Sequence, residues 1–113
     1  MKLWIDDVRP APAGYVWAKT VNDAKDYIIA RETFKGLPWY FSNDTSEVIQ
    51  PFELIDIDHD AGDYAKDGGD YIKLLDWLEE TGRNYPIRIH SMNPVGRENM
   101  RAIIRRNGWT EVI

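Results

Sequence analysis

"IDIDHD", residues 55 to 60, alternates apolar residues with acids and ends in a His between two Asp. With the preceding "PFEL" it reads as a strand, and the question it raises is what its acidic end meets. The same pattern recurs on either side. "KLWID" at 2 to 6 is a short apolar run closing on Asp6 and Asp7, and "PIRIHSM" at 86 to 92 closes on His90 and Ser91. Three strand ends thus carry nearly all the residues with chemistry to offer.

The stretches between them supply the rest of the fold. "YVWAK" at 15 to 19 is a further β-rich run, and "WTEVI" at 109 to 113 finishes the chain as a strand. "TVNDAKDYIIA" places Val21, Ala24 and Ile28 on one helical face, with Thr20 and Asp23 at capping-box spacing, and predicts a helix over 21–31. "DYIKLLDWLEETG" at 70 to 82 lines Tyr71, Leu74, Leu75 and Leu78 on one face, and Gly82 closes it before Pro86. "NPVGRENMRAIIRRNG" is the last helix, with Asn93 as N-cap, Pro94 in its first turn, and Arg105, Arg106 and Gly108 at its end. Residues 34–51, with Gly36, Pro38 and Pro51 around "WYFS" and "EVI", predict a surface hairpin or short strands. Strands alternating with helices make an α/β fold: an open, mostly parallel five-stranded sheet with helices on both faces and its ligands at the carboxyl ends of the strands.

Composition narrows the setting. A chain of 113 residues forms one domain, 1–113, and 43% apolar content with five Trp and six Tyr suits a globular core. No apolar run is long enough for a membrane span. There is no cysteine, so neither disulfides nor thiolate metal sites enter. "MKLWIDDV" meets acids too early for a signal peptide, which makes a cytoplasmic location the expectation. A formal net charge of -5 gives no general pull toward duplex DNA or anionic lipid. Arg97, Arg101, Arg105 and Arg106 leave local anion capture open.

Two constellations follow from the predicted sheet. Asp6, Asp7, Asp58 and Asp60 converge from two strand ends, and hard oxygen ligands of this kind suit Mg²⁺, which completes its shell with water and substrate phosphate oxygens. Asp56 lies inside its strand, where a partly solvated face or a local salt bridge is the simpler role. His59 and His90 are the only His in the chain, both at strand ends on one edge of the sheet. Two imidazoles near one phosphorus suit general acid and base in cyclic-phosphate or phosphodiester opening. After His90, "SMNPVGREN" offers the Ser91 hydroxyl, an N-capped helix start at Asn93, close approach at Gly96, and Arg97: the makings of a phosphate cradle, or of an ordinary cap. Carboxylates beside an anion cradle are contradictory unless a divalent cation or a bound phosphate joins them. Trp4, Trp77 and Trp109 read as core. Packing is also the simpler role for Tyr15 and Trp17, with base stacking as the alternative.

"DD" after the first strand, Asp closing the third and Ser closing the fourth resemble response-regulator receiver domains of flavodoxin-like fold. That resemblance implies Asp6 and Asp7 holding Mg²⁺, Asp58 at the phosphoryl-acceptor position and Ser91 touching the phosphoryl group. Two departures are plain. Seven residues separate Asp7 from Tyr15, whereas a parallel crossover with a helix takes roughly a dozen or more, so the first helix is missing or vestigial. The chain also reaches Ile113 with neither a Lys at the fifth strand's end nor a fifth helix. "LWIDDVRPAP", "IDHDAG" and "HSMNPVGRENM" together resemble the receiver-derived group called cyclic-phosphate processing receiver domains. That resemblance covers most of the chain and singles out Asp6, Asp7, Arg9, Asp58, His59, Asp60, His90, Ser91, Asn93, Gly96 and Asn99. Residues 34–51 read as an insertion.

The expected activity is a metal-assisted phosphoesterase acting on a cyclic phosphate or a related nucleotide or RNA-end phosphoester. Asp6, Asp7, Asp58 and Asp60 form the metal set, and His59 and His90 serve as acid and base beside Asp58 and Ser91. Arg9, Asn93, Gly96, Arg97 and Asn99 form the phosphate-binding set. The partner is a phosphate-bearing small molecule or RNA end. The alternatives are a module that binds a phosphorylated nucleotide without turnover and a phosphorylatable signalling domain.

Overall fold

The computed structural model describes residues 1–33 and 50–113. In chain order these form β1 (Lys2–Ile5), β2 (Tyr15–Ala18), α1 (Val21–Thr33), β3 (Ile55–Ile57), a short 3₁₀ helix (Gly62–Lys66), α2 (Ile72–Glu80), β4 (Ile87–Ile89) and α3 (Pro94–Asn107). The expectation for residues 34–51 falls, apart from the last two, outside the described residues.

All strand pairs are parallel, in the order β2-β1-β3-β4. The fifth strand expected at 109–113 is reduced to one bridge: Glu111 lies beside Ile87, whose N–H donates to the Thr110 carbonyl and whose carbonyl accepts from Val112. The chain arrives in the fifth-strand position but pairs at a single residue, because Gly108 turns it sharply with φ 68° and buries Trp109 just before the sheet.

Helix termini follow the sequence signals closely. The Thr20 hydroxyl accepts from the Asp23 N–H, Asn93 accepts from the Gly96 N–H, and Pro94 occupies the first turn of α3. α1 runs two residues beyond the predicted end, with the Thr33 hydroxyl bonded to the Ile29 carbonyl. α2 is shorter than its apolar pattern, since Asp70 is spent on the Ala61 N–H instead.

Helices on both faces were expected, but all three described α-helices sit on one. The steps β2 to β3, β3 to β4 and β4 to Glu111 all move the same way across the sheet, and right-handed crossovers then place every helix on the same side. Side chains confirm it: Leu3, Ile5, Ala18, Ile55, Ile57, Ile87 and Ile89 share one core with Val21, Ile28, Tyr71, Leu74, Leu78, Met100 and Ile104. Only the step from β1 to β2 runs the other way, and residues 6–14 cross it without a helix.

Register places Lys2, Trp4, Tyr15, Trp17, Asp56 and Arg88 on the second face. Here polar groups are buried by one another. Asp56 is 0% exposed, held by Arg88 at 3.1 Å, His90 at 2.6 Å and the Tyr15 hydroxyl at 3.4 Å. Of the two roles read for Asp56, the salt bridge is present and the solvated face is not. Trp4 is buried as expected, but on this face, stacked on His90 with ring centroids 4.0 Å apart.

Ile57 is fully enclosed on the helix-covered side, one residue before Asp58. Ile57→Ala should therefore cost about 2–5 kcal/mol of folding free energy, read as an earlier midpoint in urea unfolding.

Candidate functional site

The carboxyl ends of β1 and β3 bring Asp6, Asp7 and Asp58 together, with one carboxylate oxygen from each within 4.8 Å of the others. Each arrives there for a local reason. Asp6 Oδ1 accepts from the Val8 and Arg9 N–H groups, a turn that lets the chain leave β1 without a helix. Asp58 Oδ1 accepts from the His59 N–H. Asp7 is approached by Gly62, where a Cβ would lie 2.7 Å from Asp7 Oδ2 and where φ is +56°.

Electrostatics divide the three acids. Burial works against ionisation of Asp6, but the Arg9 and Val8 N–H groups and His90 outweigh it, so its carboxyl sits below the usual range. Asp7 is pushed above that range, first by burial and then by Asp6 and Asp58, against a smaller opposing effect of its own N–H. Three carboxylate oxygens gathered this closely, with Asp6 and Asp58 adding to the burial that works against the charge of Asp7, fit a hard divalent cation such as Mg²⁺.

His90 is placed differently from what its strand-end position implied. Its Nε2 lies 2.9 Å from Asp6 Oδ2 and its Nδ1 2.6 Å from Asp56 Oδ1, and its side chain is 7% exposed. The Trp4 ring lies flat against it, 5° from parallel. Both nitrogens being engaged, this imidazole orients Asp6.

His59 has the freer geometry. Its Nδ1 is 2.7 Å from Asp60 Oδ1, its side chain is 16% exposed, and among the described residues its Nε2 has no partner. Asp60, 63% exposed, faces His59 and stands outside the three-carboxylate group. Gly96, buried in the first turn of α3, seats the ring: a Cβ there would collide with the imidazole.

The remaining predicted residues scatter. The buried Ser91 hydroxyl accepts from the Asn93 N–H, and the Asn93 side-chain Oδ1 accepts from the Gly96 N–H, so both serve the start of α3. Arg9 and Asn99 have exposed side chains, and the Arg9 carbonyl accepts from the Trp4 indole. Arg97 lines a groove of about 360 Å³ with Met92, Pro94, Glu98 and Arg101, a lining that includes none of the three Asp, and its buried Nε has no partner among the described residues.

Three residues around the site were not singled out for it by sequence. Gly62 and Tyr71 were read as loop and core, yet Tyr71 donates to the Lys19 carbonyl, and burial with Asp7, Asp6 and Asp58 keeps its phenol protonated. Asp56 was read as purely structural. Alternation along "IRIH" was the available signal, since it puts His90 on the face of Arg88 and thus beside Asp56.

A parallel sheet in the order 2-1-3-4 with an acid pair after its first strand and a third acid after β3 defines a receiver-like domain. The family model for the cyclic-phosphate processing receiver domain matches residues 1–106, and the chain belongs to that family. No curated protein and no solved structure matches it.

Two outcomes follow. Gly96→Ala should displace His59, seen as a shifted or doubled His59 resonance in ¹H–¹⁵N spectra, with His90 resonances unmoved. For Asp7, the raised pKa means the folded state holds its proton more tightly than the unfolded chain does. Stability from this group is full below the ordinary Asp range and is lost as pH rises through the elevated value. Asp7→Asn should then raise Tm at pH 7 in chelator, and the gain should vanish as pH falls below the ordinary Asp range.

Proposed function

We propose that this domain hydrolyses a cyclic phosphate on a nucleotide or an RNA end to a phosphomonoester. The observation that carries the reading is the trio of carboxylates beside a His59–Asp60 pair whose outer nitrogen has no partner among the described residues. Family membership supplies the cyclic-phosphate context.

Asp6, Asp7 and Asp58 would hold Mg²⁺, which when bound supplies charge neutralisation at the phosphoryl oxygens. The chain's own groups supply the rest. His59 takes the proton of the attacking water through Nε2, while Asp60 at Nδ1 fixes the tautomer and steadies the charged ring. Water oxygen adds to phosphorus, one P–O ester bond of the ring breaks, and the departing alkoxide receives a proton from the imidazolium so formed. His90 keeps Asp6 ionised and aimed, with Asp56, Arg88 and Trp4 fixing its ring. Asp58 has a second oxygen not used by the His59 N–H, so a phospho-Asp intermediate is a variant of the same scheme.

Phosphorus NMR of 2′,3′-cyclic nucleotides with the protein and Mg²⁺ tests the reading. Conversion to a monoester is expected, abolished by chelator and reduced by about 10²–10⁴-fold in His59→Ala. Asp58→Asn retaining full activity would exclude the phospho-Asp variant. Stoichiometric binding with no product would replace the phosphoesterase by a sequestering module, and a labile mass increase with a small phosphodonor would point to a signalling domain.

A further inference from the structure

A site that gathers three carboxylates around a phosphate needs positive charge beyond one divalent ion. Several cations stand nearby, but most are committed elsewhere or unrestrained. Arg88 pairs with Asp56, Arg101 pairs with Glu111, Arg97 lines its own groove, Arg9 is exposed on a loop and Lys66 is exposed at the end of the 3₁₀ helix.

Lys19 is different. β1 and β2 pair with Ile5 opposite Ala18, so the next residues in that register are Asp6 and Lys19, on chains that run about 4.8 Å apart in a sheet. The Asp6 N–H donates to the Ala18 carbonyl, and the Tyr71 hydroxyl donates to the Lys19 carbonyl at 2.7 Å. The backbone of Lys19 is thereby fixed beside the first metal-site acid. Its Nζ lies over the Trp17 ring at 4.5 Å and the Tyr64 ring at 5.9 Å, and no carboxylate among the described residues comes within ion-pair distance of it. Both rings are tied to the site. The Trp17 indole donates to the Asp6 carbonyl at 2.8 Å, and Tyr64 stands two residues beyond Gly62, which abuts Asp7.

We propose that Lys19, clasped by Trp17 and Tyr64 at the end of β2, is the lysine that contacts the substrate phosphate. This deepens the cyclic-phosphate reading and rests on it. Cation–π contacts at a partly exposed position are weak beside a charge-assisted hydrogen bond to a phosphate oxygen, so the ammonium can be given up by the rings when the anion arrives. The two faces it leaves suit a planar base, which makes a nucleotide the substrate class favoured over a bare sugar phosphate.

Calorimetric titration with Mg²⁺ alone, and with 2′,3′-cyclic AMP in the presence of Mg²⁺, tests this on the wild-type chain, Lys19→Met and Lys19→Arg. Met keeps the stem on the rings and removes the charge. The expected result is nucleotide affinity weakened about tenfold or more in Lys19→Met and recovered largely in Lys19→Arg, with Mg²⁺ affinity not weakened in either. Wild-type nucleotide affinity in Lys19→Met overturns the proposal, as does loss of Mg²⁺ binding together with a lowered Tm, which marks a structural role. A wild-type chain that binds Mg²⁺ but no cyclic nucleotide rejects the cyclic-phosphate reading itself.

Discussion

Four carboxylates crowd the carboxyl ends and interior of β1 and β3, and the structure depends on how their repulsion is met. Asp6 and Asp56 are both buried, on adjacent strands, and a single imidazole lies between them. Buried charges persist only when paired and hydrogen-bonded, and here every contact is filled: His90 to both acids, Arg88 and Tyr15 to Asp56, two backbone N–H groups to Asp6. Removing one member would strand its neighbours. Among the described residues Asp7 and Asp58 have backbone N–H contacts but no ion pair, and this asymmetry leaves an unbalanced negative site at the surface while the negative charge beneath it is paired.

The arrangement of helices follows from the same strands. Parallel sheets are ordinarily covered on both faces by apolar helices. In the described residues the second face is closed instead by aromatic rings and ion pairs: Trp4 against Tyr15 and His90, Lys2 over Tyr15, Arg88 on Asp56. The helix-free connection over residues 6–14 lies on that side, and its Arg9 carbonyl takes the Trp4 indole N–H. Fold and site are therefore continuous, because the residues closing this face also hold Asp6.

Much of the fold was legible. Caps at Thr20, Asn93 and Gly108 and the apolar faces of α2 and α3 read directly, since these signals are local. So did the convergence of Asp6, Asp7 and Asp58, because parallel strands put their carboxyl ends on one edge. What was not legible depends on direction and distance across the sheet. His59 and His90 share an edge, yet one leans on Gly96 with a nitrogen unpartnered among the described residues, and the other is locked between two acids. Asp60 is one residue from His59 and two from Asp58, and only the turn of the chain decides which it serves. The fifth strand was over-read from "WTEVI" because β propensity does not reveal that pairing stops at Ile87.

Gly96 ties two distant parts of the chain in another way. Its missing side chain is the seat of the His59 ring, so the two positions constrain each other although 36 residues lie between them in the sequence. A lineage that enlarges residue 96 must move the imidazole or abandon it. Glycine there together with histidine at 59 is thus a two-letter signature of the intact pocket, readable in any relative before its structure is known.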